Sequence, residues 1–190
     1  MESNINKNKA FTLVETLVSI TLFGMVSLIL INVFMTSIKT QSRILFSQEL
    51  IEQSSYALEY MGTKIRMAIA DDTGACVGTS NVSYVTGDNS IIFLAHDPVN
   101  DKYLCRKFFL ENQSIKEMVS TDNTATFVSS SVITSPSFVV DKLNFVATQP
   151  SSTQPRVTIM IEASKIEQDG VATSKITVQT TISKRELQFN

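Results

Sequence analysis

At 190 residues, 43% of them apolar and with a formal charge of -2, the chain has room for one compact domain and an extended appendage, not for a multi-domain enzyme. No run of Lys or Arg is long enough to grip a phosphate backbone, which disfavours a dedicated nucleic-acid site. One His and two Cys leave too few donors for a zinc centre, and no cofactor is expected.

Residues 1–10 are mostly polar and carry Lys7 and Lys9. At Phe11 the sequence turns apolar, and through residue 38 the only ionisable side chain is Glu15. The run to Met35, about 25 residues at roughly 1.5 Å each, exceeds a hydrocarbon core of ~30 Å. It predicts one membrane-spanning helix with the lysine-bearing end cytoplasmic and the rest of the chain outside. A secretory signal would be shorter and would be cut after small residues on its far side, and Thr36-Ser37-Ile38-Lys39 provides no such site. Residues 31–33 read Ile31-Asn32-Val33, so no proline kink is predicted in that neighbourhood.

Glu15 lies about a turn inside the apolar run, where an unpaired carboxylate is costly and is by default a functional-site candidate. The plainer reading is a side chain that snorkels to the headgroups.

The string Ala10-Phe11-Thr12-Leu13-Val14-Glu15, after a short basic leader and before a long apolar helix, resembles the processing motif of type IV prepilins and type II secretion pseudopilins. Those proteins usually have Gly where Ala10 stands, and both residues are small. The resemblance implies that a membrane-embedded prepilin peptidase cuts between Ala10 and Phe11 and that the new amine of Phe11 is methylated. It implies that Glu15 pairs with the Phe11 ammonium of a neighbouring subunit, which would offset the burial of the carboxylate and set axial register. It further implies other pilin or pseudopilin subunits, an inner-membrane assembly platform and membrane lipid as partners. The expected location is the cytoplasmic membrane and then a periplasmic or cell-surface filament.

Residues 39–71 turn amphipathic. Ile44, Ile51, Leu58 and Ile65 recur every seventh position, reinforced by Met61 and Ile69, which predicts a helix continuing to Ala70 and packing that stripe on the protein's own sheet. Residues 72–190 read as strands and turns. Residues 82–85, 91–95, 103–110 and 114–119 form a four-stranded antiparallel meander, broken by turns at Gly87-Asp88-Asn89, residues 97–101 and Glu111-Asn112-Gln113. A Ser/Thr-rich stretch at 120–136 suggests an excursion or a short strand near Phe127-Val128. Runs at 138–146, 157–163 and 175–183 follow. The expected fold is α+β: a long N-terminal helix, membrane-spanning in its first half, packed on an antiparallel β-sheet. The size resembles the larger minor subunits of the family.

If the β-rich region is exported, Cys76 and Cys105 are expected to be oxidised to each other. His96 beside Asp97 reads as structural, and Asp97, Asn100, Asp101, Asp122 and Asn123 read as turn residues without a calcium-loop spacing. The functional expectation is a non-enzymatic subunit, a minor pilin or pseudopilin serving secretion, DNA uptake, adhesion or motility. The alternative is a bitopic anchored domain that binds a ligand and does not polymerise.

Overall fold

The computed structural model describes residues 12–97, 100–149, 154–166 and 173–184. The leader and the Ala10–Phe11 junction lie outside the described residues, as do Pro98 and Val99 of the expected turn. The chain divides into two units, Met1–Ile44 and Leu45–Asn190. One helix, α1 (Leu13–Arg66), supplies the described part of the first unit and opens the second.

Helix α1 begins at a Thr-x-x-Glu box. Thr12 Oγ1 accepts the Glu15 amide at 3.2 Å, which satisfies one of the donors that a helix start leaves open. No proline interrupts the following 54 residues, and Lys64 and Arg66 in the last turn complement the negative end of the helix dipole. The helix ends at Arg66 and does not reach Ala70. A Met67 amide bonded to the Lys64 carbonyl closes the last turn, and Ala68 and Ile69 leave the helix to pair as strand β1 (Ala68–Ile69) with Ala95 and Leu94. Tyr84 then donates its hydroxyl to the Ile65 carbonyl at 2.9 Å, occupying an acceptor at the helix end.

The expected four-stranded meander is present within a six-stranded sheet, extended by β1 and by the strand suggested near Phe127-Val128. Strands β2 (Tyr84–Gly87), β3 (Ser90–Asp97), β4 (Lys102–Glu111), β5 (Ser114–Ser120) and β6 (Phe127–Val132) pair antiparallel in succession, with β1 beside β2 on the same edge of β3. The β4–β5 turn places Asn112 and Gln113 at φ 51° and 59°, as a two-residue turn of type I′ demands. The last three strands, β7 (Val139–Thr148), β8 (Arg156–Ile166) and β9 (Thr173–Ser183), form a second antiparallel sheet of their own. A Val140 amide donated to the Gln113 carbonyl at 2.9 Å links the β4–β5 turn to β7.

The core of the second unit lies between the helix and both sheets. Ile91, Phe93 and Ala95 on β3 and Val157, Ile159, Ile161 and Ala163 on β8 alternate inward with the period of two expected of strands buried on one face. They meet Leu50, Ala57, Met61 and Ile65 from α1. The buried helical line is therefore Leu50, Ser54, Ala57, Met61 and Ile65. Ile44 and Ile51 of the expected seven-residue stripe are more than half exposed, and Leu58 is only partly covered. A strict seven-residue period drifts round a straight helix, and the sheet side selects small residues that let the strands come close. Gly62 shows how close: a β-carbon there would lie 2.9 Å from Ile182 Cδ1 on β9.

Candidate functional site

After β1 the chain makes a loop, residues 70–82, that is fastened twice. Cys76 and Cys105 are joined by a disulfide with Cα atoms 5.5 Å apart, tying the loop to β4. Closing a loop of 29 residues is worth roughly 3–4 kcal/mol on the chain-entropy estimate. The second fastening is Asp71, whose side chain is buried in the loop that follows it. Its Oδ1 accepts from the amides of Thr73 and Gly74 and from the Thr73 hydroxyl, and its Oδ2 accepts from the amides of Cys76 at 2.7 Å and Val77 at 3.1 Å. Gly74 takes φ 72°, where a β-carbon would press on the backbone of Thr79 and Ser80.

Burial alone would raise the Asp71 pKa, but the hydrogen bonds from Val77, Cys76, Thr73 and Gly74 outweigh it and hold the carboxyl below its ordinary value. A depressed folded pKa means that this stabilisation is complete above the unfolded value of about 4 and is lost as pH falls through the lower folded value. Asp71→Asn is expected to destabilise the protein by about 1–3 kcal/mol at neutral pH. Thermal midpoints of variant and wild type should converge below about pH 4, and a gap that persists there would refute the assignment.

The N-terminal end has a different character. Leu13, Ile20, Phe23 and Phe34 are each at least 66% exposed, and α1 is long and apolar enough to cross a membrane. None of the large apolar side chains between Leu13 and Ile38 is buried in the described chain, so this surface has the composition of a core and no core to enter. Five hydroxyls turn inward on the helix backbone: Thr16 to the Leu13 carbonyl, Ser19 to Glu15, Thr21 to Val18, Thr36 to Asn32 and Thr40 to Thr36. Glu15 is the acidic residue of the first turn, and its backbone amide donates to Thr12 Oγ1.

Residues 5–31 match the prokaryotic N-terminal methylation motif. Over that stretch the chain carries a prepilin-type N-terminus of the kind found in the type IV pilin family. No curated protein and no solved structure matches it. The matched residues take in Ala10, Phe11 and Glu15, and the pilin-like layout of a long N-terminal helix followed by antiparallel sheets runs through the remaining chain. Of the residues singled out in the sequence, the structure brings Cys76 and Cys105 together and gives Glu15 no ion pair among the described residues.

The turn residues pair locally. His96 Nε2 lies 3.0 Å from Asp101 Oδ1 with the Tyr103 ring against it, Asn100 donates to Asp97, and Asp122 accepts from the amide and hydroxyl of Thr124. Among the described residues no group of three or more His, Cys, Asp or Glu could hold a metal ion.

Sequence reasoning missed a buried polar cluster. Arg106 on β4 donates to Glu117 on β5 at 2.6 Å, and Tyr60 on α1 donates its hydroxyl to the other Glu117 oxygen at 2.7 Å. Both charged side chains are nearly inaccessible, 11% and 4% exposed. Burial, reinforced by Glu117, pushes the Tyr60 pKa up to about 12. The available signal was phase: Arg106 shares a strand face with Phe108, and Glu117 shares one with Ile115, so both charges fall at core-facing positions of adjacent strands.

Proposed function

We propose that this chain is a minor pilin or pseudopilin, a structural subunit of a type IV pilus-like filament. The observation that carries the reading is Glu15, a carboxylate within the methylation motif at the head of a helix whose large apolar side chains from Leu13 to Ile38 find no core among the described residues. A plain anchor needs an apolar span but no carboxylate at its start. In this reading a prepilin peptidase cuts between Ala10 and Phe11, and Phe11 is N-methylated. The helix crosses the cytoplasmic membrane once with its N-terminus inside, and an assembly platform passes the subunit into an extracytoplasmic filament of pilin or pseudopilin neighbours. Glu15 meets the Phe11 ammonium of one neighbour. Apolar packing supplies affinity, and the ion pair supplies axial position.

The test of processing is direct. In a cell with a prepilin peptidase, intact mass and N-terminal analysis of membrane material should show a chain that begins at methylated Phe11 and has lost Glu2, Lys7 and Lys9. A mature start beyond Met35, or an uncut chain in a competent host, would remove the main support for the filament reading.

A further inference from the structure

Asn32 is the other strongly polar side chain of the apolar segment, and it differs from the hydroxyls around it. Thr21, Thr36 and Thr40 spend their single donor on their own helix backbone. Asn32 also folds back, with Nδ2 donating to the Leu28 carbonyl at 3.0 Å, yet an amide has a second N–H and an acceptor oxygen, and neither finds a partner in the described chain. The residue is exposed, and it shares an open groove on the helix surface with Thr36, Thr40 and Gln41. Lipid tails offer nothing to an amide, so in hydrocarbon its remaining groups are satisfied by another helix or not at all.

We propose that Asn32 hydrogen-bonds across a helix–helix contact to the same segment of a second copy of this chain. The amide is self-complementary, since each copy brings one free donor and one free acceptor, and a single buried Asn in an apolar seam is a known way to fix register. Asn32 lies 17 positions beyond Glu15, about 26 Å along the helix and roughly 100° round it. The two groups therefore face different sides, and a neighbour that meets Glu15 is not the neighbour that meets Asn32. The identity of the partner rests on the assembly reading above; the polarity argument does not.

The experiment uses the full chain in phosphatidylcholine vesicles, with donor- and acceptor-labelled copies mixed and association read by energy transfer at several protein-to-lipid ratios. Asn32→Leu should weaken association about threefold despite its greater hydropathy, Asn32→Gln should keep part of it, and Thr21→Val, which removes a self-satisfied hydroxyl, should change nothing. Association of Asn32→Leu equal to wild type, or an equal loss in Thr21→Val, would overturn the proposal. Recovery of each variant in sheared filaments separates the two readings. Asn32-dependent association in vesicles by a chain that enters no filament supports this contact and sinks the filament reading. Association of Asn32→Leu equal to wild type, in a chain that does enter filaments, sinks this contact and leaves the filament reading standing.

Discussion

Glu15→Leu should reach the membrane at least as well as wild type and should all but disappear from sheared filaments. Insertion becomes easier once a carboxylate no longer enters hydrocarbon. On the proposed pairing, assembly should suffer because the neighbour's Phe11 ammonium is left without its partner, and losing one member of a desolvated pair costs about 3–5 kcal/mol. At matched membrane levels the filament fraction should fall by at least about tenfold. The Thr12–Glu15 box adds a rival cause, because Glu15 also sits where a carboxylate favours the helix start by roughly 0.3–1 kcal/mol. Both contributions need the charge, so magnitude separates them: loss of the helix-start effect alone would lower the filament fraction by no more than about fivefold, whereas loss of the ion pair should lower it at least about tenfold, in Glu15→Gln as in Glu15→Leu. Glu15→Asp, charged but shorter, should fall between. Wild-type incorporation of Glu15→Leu would make the carboxylate incidental.

The largest effect on folding is expected at Glu117. Truncation to alanine leaves the Arg106 guanidinium buried without its carboxylate and the Tyr60 hydroxyl without its acceptor. The cost is about 3–5 kcal/mol, or roughly 6–20 °C in the thermal midpoint of a domain this size. Tyr60→Phe removes a single hydrogen bond and should cost only about 1 kcal/mol. The double change Arg106→Met with Glu117→Leu replaces the ion pair by apolar volume and should recover most of the loss. Near-UV circular dichroism of the detergent-solubilised chain reads all three. If Glu117→Ala melts within a degree or two of wild type, the cluster carries no stability. Tyr60 adds a limit at high pH. Its raised folded pKa means that its contribution is complete below the unfolded value of about 10 and is lost as pH rises through about 12.

The helix and most strands were legible because their periods are local. Ile91, Phe93 and Ala95 announce a half-buried strand by alternation alone, and Asn112-Gln113 supplies a turn residue where the backbone needs a positive φ. The Thr12-x-x-Glu15 signal was equally local and was read only as part of a processing motif. What stayed hidden depends on distant partners. Nothing in the run at 139–148 says that it pairs only with β8 and starts a second sheet, or that the sheets meet the helix at Ser54, Ala57 and Gly62 and not along Ile44 and Ile51. Large apolar residues advertise a face, but the buried line also takes in the small Ser54, Ala57 and Gly62, and it lies one position from the expected stripe at Leu50 and Ala57 and on it at Ile65.

The inward-turned hydroxyls of α1 bear on how such a segment could be moved. Thr16, Ser19, Thr21, Thr36 and Thr40 carry their acceptors with them on the same backbone, so withdrawal from a bilayer breaks none of these bonds and leaves none to be remade. An extraction motor would then work almost wholly against the exchange of lipid contacts for side-chain contacts. That resistance is smooth and nearly even along the segment, because one apolar surround replaces another. The exceptions are Glu15 and Asn32, about 26 Å apart, and they would act as two detents on an otherwise sliding rod.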